Sequence, residues 1–234
     1  MRKVFRIGLG VVGVIVVVLA AGVFYIMRRD ADRVIPGGGV HIAGWTDEID
    51  ARSAGQGRTL NDARFAQEAE AIHVTTGPAT TYWNPANTAT GDYTVNATFL
   101  EPQFMALNSH PHSYGIFIGG QNLGTDQRRL IYCVAYGSGD VLIRGFGPSV
   151  FTLLETTPNA AVHKAAAVGQ PVTQEIAWHV KGNRAECAIN GTVVAGFDRD
   201  ELLGNGLQST DGVYGIRFTH NVEAVITGFG MTKD

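Results

Sequence analysis

The sequence predicts an all-β fold, an antiparallel β-sandwich preceded by one N-terminal hydrophobic helix. Three observations predict it. Residues 7–27 carry neither charge nor proline. The remainder shows short stretches of period-two alternation separated by Gly, Asn and Asp turns. Charged residues are only 17% while the 234 residues include 30 glycines. That balance suits many strands joined by tight turns, not helices, where each glycine costs about 1 kcal/mol relative to alanine.

The hydrophobic segment is preceded by Arg2, Lys3 and Arg6 and followed by Arg28 and Arg29. At about 1.5 Å per helical residue it is long enough to cross a hydrocarbon core of roughly 30 Å. Residues 1–29 therefore read as an uncleaved membrane anchor. A removable signal segment is the alternative, with Val18-Leu19-Ala20 as its cleavage site, although the apolar run continues through Val23, Phe24, Tyr25 and Ile26. Either reading puts the following domain outside the cytoplasm, in the cell envelope facing the periplasm or exterior, or secreted after cleavage. Residues 30–40, with Pro36-Gly37-Gly38-Gly39, read as a flexible linker, and residues 41–234 as the sandwich domain.

Within the domain, Tyr93, Val95, Ala97 and Phe99 alternate with Thr94, Asn96 and Thr98, the pattern of a half-buried strand. A strand follows over 114–120. Strands over 129–136 and 141–146 flank the turn Gly137-Ser138-Gly139-Asp140 and form a hairpin. Ile176, Trp178 and Val180 alternate with Ala177, His179 and Lys181, and Gly182-Asn183 turns the chain into a strand over 184–189. Asn190-Gly191 is a strong two-residue hairpin signal, with a return strand over 192–197. A helical turn is expected over 198–203 and the last two strands over 212–220 and 224–231. Residues 59–71 are either an amphipathic helix or a loop followed by a strand.

Three segments in the C-terminal half carry a resemblance: Ala185 to Ala195 with its Asn-Gly turn, then Asp211-Gly212-Val213-Tyr214-Gly215-Ile216-Arg217, then His220-Asn221 leading into Val225 to Phe229. This order resembles the closing strands of concanavalin A-like, or laminin-G-like, jelly rolls. Residues 41–231 are also similar to exported bacterial proteins distantly resembling the 3-keto-disaccharide hydrolase domain family. The resemblance implies a jelly-roll sandwich. It does not name a function, because this architecture hosts lectins, glycanases and adhesion modules.

The candidate chemistry is limited. Laminarinase-type hydrolases on this fold carry Glu-x-Asp-x-x-Glu on a central strand, one carboxylate as nucleophile and one as acid/base. Here Asp47-Glu48-Ile49-Asp50 supplies Glu48-x-Asp50 but no second Glu, and it stands at the start of the domain. These read as surface carboxylates, and no catalytic residue is assigned. Glu175, Glu186 and Glu223 are other acidic candidates should the chain be a carbohydrate-active enzyme. His110-Pro111-His112 reads as an ordinary solvated turn, a polar binding loop, or half of a metal site completed by His163, His179 or His220. Tyr82, Trp83, Tyr114, Tyr132 and Tyr136, with Asn84, Arg144 and Asn221, form an aromatic and polar set suited to sugar recognition, or else pack in the core. Cys133 and Cys187 are either one disulfide or two buried thiols. No cofactor is expected; Asp92, Asp126 and Asp140 offer loop oxygens to calcium without a diagnostic spacing.

The net charge of −3 and the lack of a basic stripe beyond the N-terminus exclude nucleic-acid binding as an expectation. The leading expectation is an exported lectin-like module recognising a glycan or another envelope component. Its binding residues would be drawn from Trp83, Asn84, His110, His112, Tyr114, Arg144 and Asn221, and the N-terminal helix would attach it to the membrane. The alternatives are a glycoside hydrolase or lyase on the same fold, and an assembly domain contacting a protein partner.

Overall fold

A computed structural model describes residues 16–18, 35–104 and 112–233. Val16–Val18 are helical and exposed; the rest of the predicted N-terminal helix, and His110, lie outside the described residues. Among the described residues no helix is long and apolar enough to cross a membrane.

The strands run β1 Gly39–Val40, β2 Thr46–Ile49, β3 Ala63–Glu68, β4 Ala71–Thr76, β5 Thr80–Ala89, β6 Tyr93–Glu101, β7 Ser113–Gln121 and β8 Arg129–Tyr136. They continue as β9 Asp140–Phe146, β10 Val150–Pro158, β11 Val172–Lys181, β12 Arg184–Ile189, β13 Thr192–Asp198, β14 Gly212–Phe218 and β15 Glu223–Lys233. Two short helices, α1 Ala51–Gly55 and α2 Arg199–Gly204, interrupt them. One sheet has the order β1-β3-β4-β15-β6-β11-β12-β13, the other β10-β9-β8-β7-β14-β5-β2. All pairings are antiparallel except β1 with β3. The two faces that meet form the sandwich core predicted from the sequence.

Alternation decides what enters that core. Tyr93, Val95, Ala97 and Phe99 of β6 are all fully buried, while Thr94, Asn96 and Thr98 point the other way. Across the gap they meet Tyr82, Tyr114, Ile116 and Phe218. Phe99 stacks on Tyr114 at 5.4 Å and Phe65 on Tyr82 at 4.4 Å. The sheets are also bonded to each other. The Trp178 indole donates to the Ile116 carbonyl at 3.1 Å, and Cys133 of β8 forms a disulfide with Cys187 of β12, their Cα atoms 6.4 Å apart. That decides between the two readings of the cysteines.

The structure decides the reading of residues 59–71. Residues 59–71 are not a helix but the loop-then-strand alternative: a 3-10 turn over Leu60–Asp62, then β3. Thr59 and Asp62 cap each other's backbone across that turn, and beyond it the backbone of Ala63–Glu68 is taken up by antiparallel pairing with β4 instead of continuing as helix. The end of the stretch read as a linker is paired. Gly39–Val40 pair with Arg64 and Phe65, and Gly38 lies so close to Asn61 that a Cβ there would sit 1.7 Å from its carbonyl oxygen. Gly38, read as part of a flexible stretch, is thus a close backbone contact that only glycine permits.

Candidate functional site

The outer face of the seven-stranded sheet, turned away from the core, holds a second apolar cluster. It comprises Trp83, Phe117, Leu130, Tyr132, Val134 and Leu142. Strands β7, β8 and β9 are therefore apolar on both faces, which is why their sequences do not alternate. Glycines keep this face close to the backbone. A Cβ on Gly215 would meet the Phe117 ring at 2.5 Å, and one on Gly115 would lie 2.0 Å from the Cys133 carbonyl.

Among these apolar residues lies a charged network. Arg217, opposite Thr81 on β5 and Gly115 on β7, is buried with only 3% of its side chain exposed. Its Nη1 donates to Asp50 Oδ1 at 2.9 Å and to Thr81 Oγ1 at 3.0 Å, and its Nη2 to Asp50 Oδ2. Arg128, from the loop before β8, donates to the same Asp50 Oδ1 at 3.1 Å and pairs with Glu48 Oε1 at 3.1 Å. Glu48 Oε2 accepts the Gly124 backbone N–H at 3.1 Å. The Arg128 guanidinium lies 3.9 Å over the Phe146 ring, and Arg217 is 5.4 Å from the Tyr132 ring. Two carboxylates thus meet two guanidiniums against an aromatic wall.

Electrostatics follow from this packing. Burial alone would raise the Asp50 pKa, but Arg217 and then Arg128 outweigh it and hold the carboxyl below its ordinary value. Burial would likewise lower Arg217; the attraction of Asp50 reverses that and raises it. Asp47 behaves differently. It stands opposite Tyr82, so it points to the inner side, and burial pushes its pKa up to about 6. Asp47 Oδ2 is buried without a hydrogen-bond partner among the described residues.

The aromatic set proposed from sequence is split by the sheet. Trp83, Tyr132 and Tyr136 belong to the outer cluster, whereas Tyr82 and Tyr114 belong to the inter-sheet core. Tyr114 is fully buried there and is corrected from a binding residue to a packing one, because β7 turns it toward Phe99. Asn84 accepts the Ala86 N–H at 2.9 Å, beside Gly44. Arg144 does stand on the outer face, opposite Tyr132. Its Nε donates to Thr152 Oγ1 at 3.0 Å while 36% of the side chain remains exposed.

His112 and Asn221 are buried away from solvent, His112 edge-on to His220 at 4.3 Å. Asn221 takes a left-handed turn conformation with φ 56°. The surface reading of Glu48 and Asp50 is corrected: both are ion-paired and mostly buried, at 24% and 23% side-chain exposure. Arg128 was not named from the sequence, and Arg217 only as the end of a strand motif, with no charged partner assigned, because Asp50 lies 78 and 167 residues from them.

Among the described residues no group of three or more His, Cys, Asp or Glu side chains could hold a metal ion. Of the loop aspartates, Asp92 accepts the Gly182 N–H of a turn 90 residues away at 2.9 Å and lies 3.9 Å from Arg199, while Asp140 accepts the Ser138 hydroxyl within its own turn.

No family model and no curated protein matches the chain. Solved structures do share its fold. A laminarinase from Flavobacterium superposes with a TM-score of 0.56 at 10% identity, covering 84% of this chain and 96% of that one. A Bacillus subtilis protein with a galectin-like fold gives 0.54 at 11% identity, over 81% and 89%. The carbohydrate-binding module CBM66 of Bacillus subtilis gives 0.53 at 12% identity, over 84% and 99%. These likenesses establish the fold, the concanavalin A-like sandwich expected from the turn motifs of the C-terminal half.

Proposed function

We propose that this chain is a saccharide-binding module of the cell envelope, whose glycan ligand lies against the outer face of the seven-stranded sheet. The observation that carries the reading is the network of Glu48, Asp50, Arg128 and Arg217 braced on Tyr132 and Phe146 outside the sandwich core. The partly exposed Tyr136 and Phe146 rings suit the C–H groups of a sugar, while partly exposed Arg144 and the carboxylates suit its hydroxyls. The carbohydrate-binding module and the laminarinase that share the fold are both named for carbohydrates. The disulfide supports export, because such bonds persist in oxidising compartments. Residues 7–27 would anchor the domain to the membrane.

Binding is favoured over hydrolysis by the carboxylates themselves. A general acid requires a raised pKa, and Asp50 is held low. The raised carboxyl, Asp47, lies on the opposite face of β2, so the two do not flank one bond. The test is a glycan array probed with the full chain in mild detergent, with and without calcium. Selective binding that Arg144→Ala weakens supports the reading; a blank array in both conditions overturns it.

A further inference from the structure

The outer face of the eight-stranded sheet carries a depression of about 380 Å³. Register explains it. Ala177 of β11 stands between Asn96 of β6 and Ala188 of β12. Two positions along, His179 pairs with Thr94 and Glu186, and in the other direction Glu175 pairs with Thr98. Two methyl groups therefore form a floor among taller polar side chains.

The walls are held in position. The Thr94 hydroxyl and His179 Nδ1 are hydrogen-bonded at 3.0 Å, which fixes the imidazole. Asn96 Nδ2 donates to the Gly228 carbonyl at 3.4 Å, which leaves its carbonyl oxygen and second N–H for a ligand. At one end the Asn190 side chain accepts the Glu175 N–H at 2.8 Å and donates to the Ala161 carbonyl and to Gln174 Oε1, each at 2.8 Å. That brace sets the turn, and Gly191 leaves the rim open, with nothing within 4 Å of a Cβ there.

We propose that this depression is a second saccharide site, distinct from the outer face of the seven-stranded sheet. Its volume lies in the lower range of small-molecule sites. Glu175 and His179 are four strand residues apart, about 13 Å at roughly 3.3 Å per residue. That span fits a short saccharide and is too long for both to grip one ion. Methyl groups flanked by amide, hydroxyl, imidazole and carboxylate match the alternation of C–H faces and hydroxyls on a neutral sugar. With sites on opposite faces of the sandwich, one module would bridge two glycan segments and gain avidity without further contacts. The choice of ligand class rests on the saccharide-binding reading; the location does not.

The test is an amide NMR titration of the full chain with maltose, cellobiose and N,N′-diacetylchitobiose. The expected result is movement of the Ala177, Ala188 and Gly191 signals with at least one sugar. Ala177→Phe, which fills the floor, abolishes that movement, and Asn96→Ala weakens the affinity at least threefold. Movement confined to Trp83, Tyr132 and Arg144 overturns this site and keeps the proposed function. Movement confined to Ala177, Ala188 and Gly191 supports this site and overturns the other face. No movement with any of the three sugars overturns both.

Discussion

Arg217 and Asp50, 167 residues apart in the chain, form a bidentate ion pair on the outer face of the seven-stranded sheet. One member is nearly inaccessible and the other keeps 23% exposure. Arg128 adds a second guanidinium to the same carboxylate. The pair joins the beginning of the domain to its penultimate strand.

Replacing Asp50 leaves the Arg217 charge buried and uncompensated. Asp50→Ala is expected to cost about 3 kcal/mol, the lower end for breaking a buried pair because Asp50 is partly wet. The folded-state pKa of Asp50 lies below its ordinary value of 3.8. The ion pair therefore contributes fully above that value, and the contribution is lost as pH falls below it. Urea unfolding of both proteins across pH 2.5–7 checks this. A difference that stays constant down to the lowest pH would refute it.

Asp47 has the opposite sign. Its folded pKa, pushed up to about 6, exceeds the ordinary 3.8, so the folded state disfavours the ionised form. The penalty enters as pH rises from about 4 and is complete above about 6. Asp47→Asn should therefore stabilise the protein at pH 7.5 and leave it unchanged at pH 3.5. Melting temperatures at the two pH values decide it; destabilisation at pH 7.5 would show that the ionised carboxylate is used.

The disulfide closes a loop of 54 residues between the two sheets. Loop-closure entropy gives it about 4 kcal/mol of stabilisation. A Cys133→Ala, Cys187→Ala double variant should lose stability on that scale and show no response to reductant. The parent should resist reductant until it unfolds, because both sulfurs are buried. Equal denaturation midpoints for parent and variant would contradict this.

Arg144 separates binding from stability. Its side chain is 36% exposed and its ion pair with Glu155 is long, at 4.0 Å. Arg144→Ala should change stability by less than about 1 kcal/mol and weaken glycan affinity at least tenfold. Titration calorimetry beside a thermal melt reads both quantities. An unfolded variant, or unchanged affinity, would remove Arg144 from the binding face.

Much of the fold was legible in the chain because it is local. The alternation of Tyr93 to Phe99 and of Ile176 to Lys181 followed from which side chains face the core, and Asn190-Gly191 marked its hairpin through its tolerance of positive φ, observed at 50° and 77°. The turn motifs around Asp211 and His220 pointed to the jelly roll. Legibility ended where a residue's surroundings come from distant strands. Strands β7 to β9 are apolar on both sides, so no periodicity told Tyr114 in the core from Tyr132 on the outer face. Gly38 looked like linker until Asn61 came within contact.

The sequence by itself determined most strands from Tyr93 onward, though not β10, together with their turns and the class of sandwich, because side-chain period and backbone freedom are properties of neighbouring residues. The tertiary structure alone decided that Cys133 meets Cys187, that Asp50 meets Arg217, and that Asp47 and Glu48 face opposite ways. Those outcomes depend on strand order and register, which only the packing of one sheet on the other brings about.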